Sequence, residues 1–343
     1  QVAAMNQTDK LFPLIKALTP PEKRYFTLFS KRHQGDGKRN KYRILFEIIN
    51  SLPAYDEAEI KARLKKRRLR GNLPSLKAEL YRQILRSMRE YRSEKSVSVI
   101  LQDMLEDLHF LREKGLYEQC RQMIDRAEKM ARDNEEYWAL VRLYDIERQL
   151  AYDTTASDLR NTIAVVNQKK SGVLNTLLNL YRIQKLYDSV FVHIRINPHN
   201  LHDKTEEELS ALLEHPLLSS PERARSFGAK TYFYNAHLQY NQLTGKLDKA
   251  FEYHEKLLAY WENHPHRIRK EPQRYMKALS NCAGLCLRMK KFATFEKTLQ
   301  KIDRVPVRSF DDEAERFQNA AHLRLLYLIN TGTFTTNTDL LRH

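Results

Sequence analysis

Apolar residues recur along this chain at intervals of three and four, the spacing that gathers them on one side of an α-helix, and the alternation of a half-buried strand is nearly absent. Between about residues 75 and 92, Leu76, Leu80, Ile84, Met88 and Tyr91 share one face, while Arg82, Arg86 and Arg89 fall on the other. Upstream, Tyr42, Leu45, Ile48, Ile49 and Leu52 keep helical spacing until Pro53 closes the segment. Thr19-Pro20-Pro21-Glu22 combines an N-cap threonine, first-turn prolines and a glutamate three residues after the cap, which predicts a helix start. That helix carries Tyr25, Phe26, Leu28 and Phe29 and ends near His33, before the polar loop Gln34-Gly35-Asp36-Gly37. Asp56 is placed to cap the next helix, which takes its apolar stripe from Ile60 and Leu64. The pattern predicts an all-α protein whose first 95 residues form a helical bundle, with a boundary in the polar segment Arg92-Ser93-Glu94-Lys95-Ser96.

From residue 96 onward a unit recurs. Gly115, Tyr117, Cys120 and Ala127 follow one another with the same offsets as Gly245, Leu247, Ala250 and Leu257. Lys290, Phe292, Phe295 and Ile302 repeat the spacing without the glycine, and Gly332 with Phe334 begins a last copy. Glycine ends one helix, an aromatic or leucine opens the next, and small residues let the two approach closely. Two less regular pairs are expected between these copies, one from 136–152 with 157–168, opening near Trp138, and one from 174–194 with 205–213.

This unit resembles the tetratricopeptide repeat, an antiparallel helix pair of about 34 residues. The copies here are longer, with 45 residues from Gly245 to Lys290 and 42 from there to Gly332. The resemblance implies that residues 96–343 form a right-handed α-solenoid of tetratricopeptide-like helix pairs, expected to be truncated because the last copy breaks off near Leu341. It further implies that the first helix of each pair lines a groove for a peptide or partner helix, with Asn235, Gln239, Gln242, Lys277 and Asn281 as groove-facing candidates. The family's carboxylate-clamp pattern is not met.

Charge sharpens the division. Of a net +16, residues 1–95 hold 23 Lys and Arg against 10 Asp and Glu, and residues 96–343 hold 36 against 33. Seven of the ten residues from Lys61 to Arg70 are basic, and the run stops at Gly71. Cations in a last helical turn followed by glycine are ordinary helix-ending chemistry, but the next members of the Ile60 and Leu64 stripe are Arg67 and Arg68, so the charge spreads around the helix. Lys38, Arg39, Lys65, Lys66, Arg67, Arg68, Arg70, Arg82, Arg86 and Arg89 therefore come from three elements as candidate contacts to nucleic acid or another polyanion. A solvated basic face and a helix-turn-helix DNA reader built around RRLRGNLPS are the alternatives.

Nothing in the sequence recommends an enzyme. His199 with His202, and His264 with His266, sit in proline-containing loops without further ligands at metal-site spacing, and Cys282 with Cys286 occupy tight packing positions of the repeat. Gly35 and Gly37 before Lys38 lack the spacing of a phosphate loop. No catalytic residue, metal or cofactor is expected. Three cysteines, Cys120, Cys282 and Cys286, make no disulfide framework and predict a cytoplasmic protein, and no apolar run is long enough to predict a membrane span. The expectation is a non-enzymatic interaction protein, its array holding a protein or peptide and its basic part contacting nucleic acid, as in bacterial regulators that join such modules. The alternative is a protein-only scaffold whose basic part docks on an acidic subunit.

Overall fold

The computed structural model describes residues 10–32, 41–67, 72–93, 96–154, 158–196, 203–307 and 310–332, and among them every regular element is helical, with sixteen α-helices and two short 3-10 turns. The chain divides into two compact units, Gln1–Val166 and Asn167–His343. Residues 94 and 95, within the boundary expected from the sequence, lie outside the described residues.

In the first unit α1 (Leu11–Ala17), α2 (Pro20–Arg32), α3 (Lys41–Ser51), α4 (Glu57–Lys66) and α5 (Leu73–Ser93) bury one core, in which Ile15, Phe26, Leu45, Ile49, Ile60, Leu80 and Ile84 are all inaccessible. The Thr19 cap forms as expected: its backbone N–H donates to Glu22 Oε2 at 2.9 Å, and Glu22 N–H returns toward Thr19 Oγ1 at 3.5 Å. Asp56 accepts from the Glu59 N–H at 3.0 Å and so satisfies a donor that α4 cannot. Asp56→Ala should lower stability by about 1 kcal/mol, and a urea titration that shifts by less than about 0.3 kcal/mol would refute the cap's contribution.

The basic run departs from expectation in one respect. Its helix ends at Lys66, short of Gly71, with the Arg67 N–H closing onto Arg63 O at 3.1 Å. Ile60 and Leu64 are the buried residues of α4, and Lys65, Lys66 and Arg67 after them are exposed.

Next come α6 (Val97–Glu113), α7 (Tyr117–Asp133) and α8 (Tyr137–Asp153), which pack in succession. Each reversal turns on one residue in the left-handed region, Gly115 at φ 71° and Glu135 at φ 53°. Around Gly115 the Leu116 N–H bonds to Leu111 O at 3.0 Å, and around Glu135 the Glu136 N–H bonds to Ala131 O at 2.8 Å, the hydrogen bonds of a Schellman turn. The Glu135 turn is a further copy of the repeat grammar, with Tyr137 two residues on and the buried Leu140 three beyond that. Trp138, expected to mark this repeat, is 70% exposed.

The larger correction concerns the middle of the chain. Segments 157–168 and 174–194 were expected as separate helices, but α9 (Leu159–Ile196) runs unbroken for 38 residues. The intervening Lys169-Lys170-Ser171-Gly172 contains no proline, and Gly172 keeps helical geometry rather than a left-handed cap.

The second unit continues with α10 (Asp203–Leu213), α11 (Phe227–Leu243), α12 (Leu247–Glu262), α13 (Pro265–Lys270), α14 (Pro272–Arg288), α15 (Phe292–Asp303) and α16 (Phe310–Thr331). α11 pairs with α12 and α14 with α15, and the turns fall at Gly245 (φ 72°) and Lys290 (φ 56°), the positions marked by the sequence. Ala250, Leu257, Phe295 and Ile302 are buried there as the spacing required, as are Cys282 and Cys286. The helices α14 and α16 lie side by side. Gln273 donates to Asp312 at 2.9 Å and Ser280 to Asn319 at 3.2 Å, so α14 and α16 run parallel, seven residues on one matching seven on the other. Arg274 reaches Thr231 at 3.3 Å across α14 and α11, and Gln239 reaches Tyr187 at 3.3 Å across α11 and α9.

Candidate functional site

The α5 helix delivers its arginines as the sequence pattern requires. Leu80, Ile84 and Met88 are buried, and Arg82, Arg86 and Arg89 are exposed on the opposite side. Arg82 is held by Glu79 at 2.5 Å, one turn back on the same helix. Arg86 lies 5.9 Å from the centre of the Phe29 ring, which braces its guanidinium against α2. Arg89 has no ion-pair partner among the described residues. Tyr81 and Leu85, 36% and 38% exposed, border the same face.

At the end of α4, Lys65 and Lys66 are exposed and without an ion pair among the described residues, whereas Arg67 bonds Glu47 of α3 at 3.1 Å. Glu47 is also held by Arg43 at 3.0 Å, so one carboxylate offsets two of the cations of this region. Lys77 is buried, and its ammonium is held by Glu57 at 2.9 Å and by the Tyr55 hydroxyl, which removes it from the surface charge. Lys61, Lys77 and the Tyr55 hydroxyl hold the Glu57 carboxyl down to about 2. Lys38, Arg39, Arg68 and Arg70 lie outside the described residues. Among those described, the three α5 arginines share a face.

The expected groove residues are of two kinds. Asn235 donates to Thr231 O at 2.7 Å within its own helix, Gln239 turns toward Tyr187, and Gln242 contacts His254 Nε2 at 3.3 Å. All three are half-buried and engaged inside the protein. Lys277 and Asn281 stand exposed on α14. Two positions on that same stripe, Gly284 and Arg288, escaped the sequence reading; the signal that would have found them is the lack of any acidic residue in α14.

Among the described residues no group of three or more His, Cys, Asp or Glu side chains could hold a metal ion. His264 is occupied with Tyr260 O at 2.7 Å, and its ring stands 6.0 Å from that of the exposed His266; His199 and His202 lie outside the described residues. The Cys282 thiol is pushed well up by its hydrogen bond to Cys286 and by burial, and so stays protonated. No described helix is long and apolar enough to cross a membrane. Compared with models of known families, with curated proteins and with solved structures, the chain matches none.

Proposed function

We propose that this is a non-enzymatic interaction protein. Its basic N-terminal helices form a bundle that contacts nucleic acid or a similar polyanion, and its later helix pairs form a right-handed, tetratricopeptide-like solenoid that holds a protein or peptide. The observation that carries the first half is the α5 face, where three arginines stand in water on the side opposite a buried apolar stripe. A cation on a rigid helix keeps its position when a phosphate arrives, and each phosphate neutralised releases counterions. The parallel first helices α14 and α16, joined by two side-chain hydrogen bonds in register, support the second half, since a row of such helices presents a continuous surface. A cytoplasmic setting agrees with three free, buried cysteines.

The test uses the full chain with duplex DNA and structured RNA between about 50 and 200 mM salt. Each phosphate contact contributes about 0.9 to the slope of log affinity against log salt, so R82A/R86A/R89A should flatten that slope by about 2 to 3. An unchanged slope removes this face from the reading. A second reading, docking on an acidic protein subunit, is favoured by the exposed Tyr81 and Leu85, because aromatic and aliphatic side chains beside arginine suit a protein interface. Capture of partners from native lysate with and without nuclease separates the two: partners lost on digestion point to nucleic acid, and partners retained point to the acidic subunit.

A further inference from the structure

Two long helices of the second unit lack acidic residues. α11 and α14 contain Lys230, Arg274, Lys277 and Arg288 and not one Asp or Glu. The helices paired with them mix both signs, Asp248, Glu252, Glu255 and Glu262 with Lys249 and Lys256 on α12, Glu296 and Asp303 with Lys297 and Lys301 on α15, and the acids of α16 (Asp311, Asp312, Glu313 and Glu315) fall in its first two turns. Arg274 is engaged by Glu271 and Thr231, and Lys230 lies 5.6 Å over the Tyr260 ring. Lys277 and Arg288 are exposed and have no ion pair among the described residues.

These two cations belong to a single stripe, Lys277, Asn281, Gly284 and Arg288, spaced by four, three and four residues along α14. Gly284 is the anomaly in it. A glycine inside a helix weakens that helix, and here it is not forced: its φ is not positive, and a Cβ would meet nothing within 4 Å. Folding gives no reason for glycine at this position, whereas close approach of another chain to the helix backbone does.

We infer that this α14 stripe is a docking surface for an extended acidic peptide segment of a partner protein, with Lys277 and Arg288 pairing its carboxylates, Asn281 bonding its backbone, and Gly284 leaving room for the chain to lie close. The inference rests on the proposal that the helix array binds a partner, and it names that partner's chemistry. Lys277 and Arg288 are eleven residues apart, about 16 Å along the helix, which about five residues of extended chain would span. A side-chain amide both donates and accepts, as a peptide backbone does. Two isolated cations are poorly matched to a nucleic acid, whose affinity grows with the number of phosphates neutralised.

The test is fluorescence anisotropy on the full chain carrying R82A/R86A/R89A, so that the α5 face does not contribute. The probes are a fluorescein-labelled peptide of about ten residues alternating Glu with Ala, long enough for the stripe, its Lys-for-Glu counterpart, and oligothymidine. The acidic peptide should bind saturably and the lysine peptide should not. K277E/R288E should weaken binding at least about tenfold, the loss of roughly two surface charge pairs. Gly284→Trp should weaken it as much without lowering the melting temperature, while Gly284→Ala should leave affinity within about twofold and raise the melting temperature by about 2–4 °C. No saturable binding of the acidic peptide, or affinity indifferent to both K277E/R288E and Gly284→Trp, overturns the inference. So does oligothymidine binding that alone is lost in K277E/R288E, which would make the stripe a nucleic-acid contact. A lysate partner that survives these substitutions but is lost when α16 is disrupted would leave the array's binding role standing and remove only the stripe.

Discussion

Trp261→Ala is expected to destabilise the second unit by about 3–5 kcal/mol, a third or more of the stability of an ordinary domain. The indole is 2% exposed near the end of α12, with Phe227 edge-on at 4.7 Å and Tyr275 at 5.9 Å. Those rings come from α11 and α14, so one side chain ties three helices, and alanine would leave a cavity that none of them can close alone. Trp261→Phe should recover a good part of the loss by refilling most of the volume. Hydrogen exchange gives the decisive readout: amides of α11, α12 and α14 should lose protection while those of α2 and α5, whose core contains no residue of the second unit, keep theirs. Equal loss in both sets of helices, or a change below about 1 kcal/mol, would contradict this account of the core.

Acid should also act on this unit through His254. The imidazole is fully buried between α12 and α11, and burial pushes its pKa down to about 4. Nδ1 has no hydrogen-bond partner and Nε2 faces the Gln242 amide nitrogen at 3.3 Å, so the charged ring, a donor at both nitrogens, would find no acceptor at either. In the unfolded chain the same ring titrates near 6.5. Above that pH both states are neutral and the histidine costs nothing. Between pH 6.5 and 4 the unfolded state takes up the proton and the folded state does not, so stability falls with pH by a total of about 3 kcal/mol and levels off below pH 4. Burial lowers His237 too, in the same sense. Urea midpoints across this range should drop for the native chain and stay flatter for His254→Gln; parallel curves would show that another group drives the acid response.

How much of this could be read from the residues alone depended on whether the controlling interaction was local. The Thr19 and Asp56 caps, the two faces of α5 and the turns at Gly115, Gly245 and Lys290 are each decided within a few residues, and each is where the spacing placed it. The unbroken α9 was not legible: a polar stretch ending in glycine reads as a link, and nothing local distinguishes a glycine that caps a helix from Gly172, which continues one. For the candidate sites, the exposure of Arg82, Arg86 and Arg89 followed from periodicity, whereas the loss of Arg67 to Glu47 and of Gln242 to His254 depended on contacts 20 and 12 residues away. The Gly284 stripe was readable in principle, since it needs only the observation that two helices lack acids.

Several helices of this chain close on a residue in the left-handed region. Five such residues occur among the described residues, at Gly115, Glu135, Gly245, Lys290 and Gly332, and two of the five are not glycine. A side chain there costs roughly 1–2 kcal/mol, little enough for the helices on either side to absorb by packing. The turn can therefore outlive the residue that best suits it. Copies of such a unit are free to diverge until no shared letter remains, while the backbone still reverses at the same place, so kinship among the repeats of this chain is better measured in dihedral angles than in identities.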